Sequence, residues 1–515
     1  MATPKLADLL AEVLPQNIKL NVRHISTPPT PSDAIFSAPP GETPEATFCE
    51  NHFFVASLNR FGNVDDEIAV LGIEVSIYTT DRLTIVFVSK ADSTGYIHLV
   101  NKDAQPPSLR LIVTTFLSYL IRTHQRPGIR LVLSLFARAQ NQYLFPGSVD
   151  NAQKHVLDDR GLIKWWCQTA DPILREHTVE SQDGGSKSLV DESIESVSSS
   201  ATGYLLVPGC DKYETRAFFP ATARSDDQKN PRWRVSYPLN QICIHPQAPP
   251  RCLVPRFPDD PKARFLVDLD GELSEGAIAG QWKSVKSLDE FWEMMAFRQE
   301  CSAGRLVGFL WVVINPPGVL SSDKLSNQTQ EAGTTDKVQN DALLSGTAAE
   351  AESDNRSLNH LQDDQPKPNT EVRGNTFFWP EAGRGEIVLC EKEYKSGNDE
   401  LLEQDFETEE LAMAGTMAWV RKIASLADVL WWGKPVTGKR EISKTTTSSK
   451  TAAVTINSGL NVRKRKKDAE GDDTLHVEAK DEQAVSSNTT QAETESGSPE
   501  VNVLNASFIK KKKKT

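Results

Sequence analysis

The chain has few of the features that mark secreted or membrane proteins. Its 515 residues include only seven cysteines, at irregular positions that form no paired spacing, so we expect free thiols in a reducing compartment rather than a disulfide framework. No stretch approaches the roughly 18 consecutive apolar residues that span a membrane. The N-terminal segment MATPKLADLLAEVLPQNIKL carries acidic residues and no uninterrupted apolar run, which is unlike a secretory signal. We therefore expect a soluble intracellular protein.

The common cofactor motifs are also missing. The chain has no G-x-x-x-x-G-K-[ST] loop and no G-x-G-x-x-G between a strand and a helix, so these two nucleotide-binding modes are excluded. It also lacks the Q/R-x-x-G-x-G/A loop that holds the pyrophosphate of coenzyme A in a widespread enzyme superfamily. Cys243, His245 and Cys252 lie close in sequence but have no paired CxxC partner, and we expect no metal.

Apolar residues are unevenly distributed along the chain. Their share is 38%, where nearer half is usual in globular proteins. The deficit is concentrated in a Ser-rich stretch at about 178–200, in an acidic stretch poor in aromatics at about 321–370, and in the C-terminal region. Such compositions do not bury a core. We predict one domain over residues 1–435 with mobile insertions at 178–200 and 321–370, followed by a disordered basic tail at 436–515.

Between the insertions, the hydrophobic pattern alternates between strands and helices. EIAVLGIEVSIYTT and LTIVFVSKA are rich in Val and Ile and are typical of strands. SLRLIVTTFLSYLIRTH follows Pro106 and Pro107 and is typical of a helix with Ser108 at its N-cap. LDDRGLIKWWCQTADPIL is typical of an amphipathic helix. The order of these elements predicts an α/β fold.

Five segments combine polar, aromatic and turn-forming residues: SKADSTGY, PPSLRL, FARAQNQYLFPGS, KHVLDDRGLIKWWC and FPDDPKAR. Each has an ordinary structural interpretation and a functional one. PPSLRL is either a plain helix start or an anion site formed by backbone N–H groups and an arginine. Tandem tryptophans are either core or a substrate wall. FPDDPKAR is either a salt-bridged turn or a reactive carboxylate cluster, and no segment is specific when taken alone.

Taken in order, the five segments resemble the fungus-specific histone acetyltransferases of the regulator-of-Ty-transposition type. The likeness runs from about residue 52 to 265, and more loosely to about 439. That family is related in fold to the CREB-binding-protein acetyltransferases. The resemblance implies a single large catalytic domain with a mixed central sheet surrounded by helices. It also implies acetyl transfer from acetyl-CoA to a core-domain lysine of newly synthesised histone three, in support of replication-coupled nucleosome assembly and DNA damage tolerance.

The resemblance also implies roles for individual residues. Asp260 is the acid/base carboxylate with Asp259 beside it, Tyr143 and Trp166 line the tunnel for the substrate lysine, and Lys262 is the site of autoacetylation. The residues implied to contact acetyl-CoA are Ala91, Asp92, Ser93, Pro106, Pro107, Ser108, Leu109, Arg110, Phe136, Gln140, His155, Val156, Leu157 and Trp165.

The charge pattern bears on partners and localisation. A formal net charge of −13 argues against nucleic-acid binding by the whole chain, but RKRKK at 463–467 and KKKKK at 510–514 are strongly basic. These clusters are either solvated charge runs or elements for nuclear import and for capture of acidic partners. The resemblance implies a nuclear protein whose partners are histones and histone chaperones of the nucleosome-assembly and anti-silencing types.

Two other functions stay open at this point. One is a histone-chaperone adaptor with weak catalysis, and the other is an acyltransferase that uses a different acyl-CoA. The joint presence of Asp92, Tyr143, Trp166, Asp260 and Lys262 argues against the adaptor.

Overall fold

The structure, a computed structural model, describes residues 4–59, 66–100, 106–179, 198–273, 281–298, 305–317 and 376–441. The predicted insertion at 321–370, most of the one at 178–200 and the tail beyond 441 lie outside the described residues. Among the residues described, no helix is both long enough and apolar enough to cross a membrane.

The described residues form eleven strands and nine α-helices. The strands are β1 Lys19–Ser26, β2 Thr30–Ser32, β3 Thr47–Asn59, β4 Glu67–Thr79, β5 Leu83–Ser93, β6 Arg130–Arg138, β7 Ser200–Leu206, β8 Trp233–Arg234, β9 Val307–Asn315, β10 Ile387–Val388 and β11 Lys434–Thr437. The helices are α1 Leu6–Val13, α2 Leu109–His124, α3 Asp159–Arg175, α4 Lys212–Arg216, α5 Leu239–Ile242, α6 Pro261–Asp270, α7 Leu288–Met295, α8 Glu391–Glu403 and α9 Glu409–Leu426.

The strands form one mixed sheet in the order β10-β1-β3-β4-β5-β6-β9-β7-β8, with β11 also paired to β1 and β2 to β3. The β5–β6, β1–β10 and β7–β8 pairs are parallel, and the others are antiparallel. This confirms the predicted mixed central sheet. Val436 of β11 pairs with Leu20, so the described domain continues past the boundary predicted at 435.

Helices cover both faces of the sheet, which explains why its central strands are buried along most of their length. Side chains alternate between the faces with the period of two expected for a strand. Along β5, Val86 and Val88 enter a core shared with α1, α2, α3 and α9. Ile85 and Phe87 enter a second core shared with α5, α6 and α7. The continuous apolar runs in the sequence therefore reflect a sheet that is buried on both faces.

The helix predicted after Pro107 is confirmed. Ser108 occupies its N-cap with an extended backbone, and α2 then runs to His124. The predicted amphipathic helix is also confirmed as α3, whose N-cap Asp158 accepts a hydrogen bond from the Gly161 N–H at 2.6 Å. Both helices pack on the same side of the sheet, and α2 also contacts α1.

The parallel pairing of β5 with β6 brings their carboxyl ends to the same edge of the sheet. In α/β sheets, that edge is where loops leave room for ligands. Three of the five segments singled out in the sequence adjoin β5, β6 or α2, the fourth leads into α3, and the fifth leads into α6.

Candidate active site

A cleft of about 460 Å³ opens where β5 and β6 end. Its walls come from the last residues of both strands, from the loop after β6, and from the turn and first residues of α6. The residues that line it are Ser89, Lys90, Phe136, Arg138, Gln140, Gln142, Tyr143, Asp259, Asp260, Pro261, Ala263 and Arg264. Five predicted site residues, namely Phe136, Gln140, Tyr143, Asp259 and Asp260, are thus brought together.

Asp92 supports the loop that carries Tyr143. One of its carboxylate oxygens accepts hydrogen bonds from the backbone N–H groups of Tyr143, Leu144 and Phe145 at 2.7, 3.0 and 3.3 Å. Gly72 lies opposite Asp92 in the β4–β5 register, and a Cβ at Gly72 would come within 3.0 Å of the Phe145 ring. Because Gly72 has no side chain, the loop that contains Phe145 can pack against the sheet at this position.

The second oxygen of Asp92 binds Lys154. Its distance to Lys154 Nζ is 2.8 Å, and the two side chains are only 7% and 4% exposed. Lys154 also donates to Ser148 Oγ at 2.8 Å. The carboxylate is thus fully used within the protein, and its observed contacts hold the loop. A contact of Asp92 with acetyl-CoA stays a prediction.

Tyr143 is a half-buried residue of the cleft wall. Its hydroxyl donates a hydrogen bond to the Arg138 carbonyl oxygen at 2.6 Å. Burial raises the pKa of Tyr143 to about 12, with a further contribution from Asp92. The phenol therefore stays neutral across the working range of an enzyme and serves as a fixed wall rather than as a titrating base.

Asp260 and Lys262 form a buried ion pair at the start of α6. Asp260 is the N-cap, and it accepts the Lys262 backbone N–H at 2.9 Å. The other carboxylate oxygen binds Lys262 Nζ, which lies 4.4 Å from the centre of the Phe309 ring. The two side chains are only 2% and 3% exposed. Burial lowers the pKa of Lys262, although Asp260 acts in the opposite direction.

Asp259 differs from its neighbour because its backbone is left-handed, with φ at +59°. Such a conformation is uncommon outside glycine, and Asp tolerates it better than most residues. The Asp259 side chain is 62% exposed and pairs with Lys90 at 3.1 Å. Lys90 pairs in turn with Glu74 at 2.9 Å. Of the two adjacent carboxylates, Asp260 is therefore the buried one.

The tandem tryptophans lie on α3 and pack edge to face, with ring centres 4.8 Å apart. Trp166 is buried in the core shared with α2, and Trp165 is half-buried against it. Neither tryptophan is among the residues that line the cleft. Their assignment to the lysine tunnel and to acetyl-CoA stays a prediction.

The remaining predicted cofactor contacts are not among the residues that line the cleft, and their roles stay predictions. Ala91 and Ser93 end β5, the stretch 106–110 precedes and opens α2, and His155 and Val156 are exposed, with Leu157 half-buried before α3. The Ser108 side chain makes no capping hydrogen bond, which leaves first-turn N–H groups of α2 to suit an anion. Arg110, in the first turn of α2, donates to Gln168 in the middle of α3 and so links the two helices.

Sequence reasoning missed two lysines. Lys90 pairs with Asp259 at the cleft wall, and Lys154 holds Asp92 from beneath the loop. Lys90 stands two positions before Asp92, and Lys154 directly precedes His155. Each of the five segments singled out in the sequence contains a lysine or an arginine. A cationic side chain in a packed segment needs an anionic partner, and this requirement could have drawn attention to Lys90 and Lys154.

This geometry can serve amine chemistry. A buried carboxylate borders a cleft whose walls include a neutral phenol and an aromatic ring, and burial lowers the pKa of the lysine held beside the carboxylate. Such a site can take a proton from an ammonium group while keeping water away.

Comparison with known families identifies the chain. The histone acetyltransferase KAT11-type domain family matches residues 6–130 and 126–422. The chain belongs to this family. It is therefore a histone acetyltransferase, an enzyme class that takes acetyl groups from acetyl-CoA and has histones as substrates.

Individual relatives agree with this assignment. The chain is 50% identical to the histone acetyltransferase rtt109 of Aspergillus flavus over 99% of both chains. It is 32% identical to the histone acetyltransferase rtt109 of Schizosaccharomyces pombe, over 59% of this chain and 70% of that one. The crystal structure of Rtt109 from Aspergillus fumigatus is similar with a TM-score of 0.71 and 53% identity, covering 85% of this chain and all of that one. The predicted resemblance to a fungal family is confirmed.

Proposed function

We propose that this KAT11-type acetyltransferase modifies a core-domain lysine of newly synthesised histone three. It would act in the nucleus, in support of replication-coupled nucleosome assembly and DNA damage tolerance. The observation that carries the site assignment is the buried Asp260–Lys262 pair, which borders the same cleft as Tyr143. The similarity of this chain to the rtt109 acetyltransferases supports the histone substrate.

In this proposal, Asp260 receives the proton of the substrate lysine. A free lysine with a pKa near 10.4 is only about one part in a thousand neutral near pH 7.4. The neutral amine attacks the thioester carbonyl, a C–N bond forms, the C–S bond breaks, and the coenzyme leaves as its thiol. Tyr143 and Trp166 exclude water and align the amine, because positioning can contribute as much as proton transfer.

Lys262 controls the availability of Asp260 in the same scheme. While it is an ammonium, Lys262 occupies one oxygen of the carboxylate. Autoacetylation would turn it into a neutral amide and release that oxygen for the substrate proton. The lowered pKa of Lys262 favours this step, because it increases the share of the nucleophilic amine.

Acetyl-CoA would lie across the strand ends and the start of α2. First-turn N–H groups of α2 and Arg110 suit its phosphates, and Ala91, Phe136 and Leu157 offer apolar contact to its pantetheine arm. The other proposed contacts are Asp92, Ser93, Pro106, Pro107, Ser108, Leu109, Gln140, His155, Val156 and Trp165.

The partners proposed for the rest of the chain are histone chaperones of the nucleosome-assembly and anti-silencing types. The catalytic domain includes β11, which extends past residue 435, and the basic clusters at 463–467 and 510–514 carry charge that would attract acidic partners. Removing 460–515 should preserve basal acetylation of free histones while chaperone stimulation and its salt dependence fall. Equal stimulation and equal salt dependence in both proteins would count against the tail as a docking element.

The central experiment uses full-length protein with labelled acetyl-CoA and each core histone, with and without chaperone. Mapping of the products should place the label on histone three and on Lys262. Label on other histones alone would refute the proposed substrate. Label on histone three with none on Lys262 would refute only the autoacetylation step.

A further inference from the structure

A second cluster of titratable side chains lies at the other end of α2 from Ser108. Glu50 and His52 project from β3, and His124 is the last residue of α2. The three side chains are between 0% and 2% exposed. None of them lines the cleft described above, so acetyl transfer does not account for their burial.

The donor atoms of this cluster converge on one point. One oxygen of Glu50 and a ring nitrogen of each of His52 and His124 all lie within 4.8 Å of one another. The Glu50 oxygen is 2.7 Å from His124 Nε2 and 3.8 Å from His52 Nε2. Apart from these contacts with one another, both Glu50 oxygens and both of these ring nitrogens are buried without a hydrogen-bond partner among the described residues.

The outward-facing nitrogens of both rings are already engaged. His124 Nδ1 lies 2.8 Å from the Leu120 carbonyl oxygen, so that nitrogen carries the hydrogen and donates it. In a neutral ring, Nε2 then presents a lone pair to the carboxylate oxygen 2.7 Å away, a repulsive contact unless a cation lies between them. His52 Nδ1 lies 3.0 Å from His24 Nε2. Histidines that bind metals are typically held in this way through their second nitrogen.

We propose that Glu50, His52 and His124 bind a structural divalent transition-metal ion, with zinc as the best match. Two imidazoles and one carboxylate suit zinc, whereas calcium and magnesium prefer oxygen ligands alone. Zinc bonds of about 2.0–2.1 Å place neighbouring ligand atoms roughly 3.3 Å apart, so the side chains need to shift by about 1 Å. The ion supplies the positive charge that a buried carboxylate requires, and the second Glu50 oxygen, which is also buried, can supply the fourth ligand atom.

The surroundings indicate a structural rather than a catalytic role. The ion would join β3 to the end of α2 beneath the segment around Gly383. A Cβ at Gly383 would collide with the His124 ring, and Tyr119 of α2 donates to the carbonyl oxygen of Ala382. The site is therefore closed over by protein and offers no path for a histone tail.

The test uses untagged full-length protein purified without chelator. Elemental mass spectrometry should find about one zinc ion per chain, because the proposal contains a single site. Metal-free protein titrated with Co²⁺ should develop the visible bands of tetrahedral cobalt, and X-ray absorption should show nitrogen and oxygen ligands without sulfur. Removing the metal should lower Tm, and adding Zn²⁺ should restore it.

Matched variants locate the site. Glu50→Gln and His124→Gln should lower the bound zinc to background. His245→Gln is the control, because His245 forms a His–Glu pair with Glu42 at 2.9 Å on the surface, and its zinc content should equal that of wild type. If a ligand variant fails to fold, the wild-type measurements still decide. Wild-type protein that neither carries zinc nor binds Zn²⁺ or Co²⁺ would overturn the proposal in favour of a protonated His–Glu pair, and sulfur ligation would overturn it in favour of a cysteine site.

Discussion

Two buried aspartates support two walls of the cleft, and their partners differ. Asp92, at the end of β5, binds three consecutive backbone N–H groups and the Lys154 ammonium. Asp260, at the start of α6, binds one backbone N–H and the Lys262 ammonium. Both carboxylates are almost inaccessible to water, so burial alone does not distinguish their roles.

The difference lies in what each carboxylate could release. Backbone N–H groups cannot lose their protons, and Lys154 is tied to Ser148 as well, so Asp92 has fixed partners and holds structure. The partner of Asp260 is a buried lysine whose pKa is lowered by burial, and it can give up its charge by deprotonation or acylation. A carboxylate with one chemically changeable partner beside a cleft is suited to proton transfer.

The largest expected effect is on catalysis at Asp260. We expect Asp260→Asn to lower the rate of histone acetylation by at least about 100-fold, because an amide does not accept the proton. Asn is also a good N-cap, so α6 should persist, but Tm should fall because the buried Lys262 loses its charged partner. Initial rates between about pH 7 and 9, together with thermal melts, test this. A near-wild-type rate would show that Asp260 does not take part in proton transfer. Asp260 and Asp92 would then both be structural carboxylates.

The next effect is on stability at Asp92. We expect Asp92→Asn to lower the free energy of unfolding by about 3 kcal/mol, because it leaves the Lys154 charge buried without a partner. Denaturant unfolding measures this. The double variant Asp92→Asn with Lys154→Met should recover part of the loss, because it removes the unpaired charge. If the single variant unfolds like wild type but binds acetyl-CoA poorly, Asp92 is a ligand contact and not a support for the loop.

Tyr143 should show a smaller effect. Tyr143→Phe removes the hydrogen bond to the Arg138 carbonyl but keeps the ring, so we expect about a fivefold loss in rate, equivalent to roughly 1 kcal/mol. Since burial raises the pKa of Tyr143 to about 12, its hydroxyl loses its proton only well above neutral pH. The variant should therefore keep the shape of the wild-type pH–rate profile up to about pH 10. Loss of a limb of that profile below pH 10 would show that Tyr143 titrates during catalysis.

The smallest effect is expected at Asp259. Its exposed pair with Lys90 is screened by solvent, so Asp259→Asn should change the rate by less than about twofold. Comparison of Asp259→Asn with Asp260→Asn shows how burial of the carboxylate affects the rate, because the two residues are adjacent and chemically identical. Rates measured at low and high salt provide the check. A loss as large as that of Asp260→Asn would mean that the two carboxylates act as one group.

Much of the local structure was predictable from sequence. Ser108 marks the start of α2 because a small polar residue after two prolines favours an N-cap, and the apolar runs around β4 and β5 have the β-branched content of strands. The ordered motifs, FPDDPKAR above all, indicated the family, which the comparisons confirmed.

What only the tertiary structure decided concerns direction and distance. Asp259 and Asp260 are the same residue type at neighbouring positions, and a left-handed backbone at Asp259 leaves one exposed and the other buried. Glu50 and His52 meet His124 only because β3 packs beneath the end of α2. Sequence patterns record local preferences for helix, strand and turn. Contacts between residues far apart in the chain depend on the pairing of strands and the packing of helices, which no local pattern of residues contains.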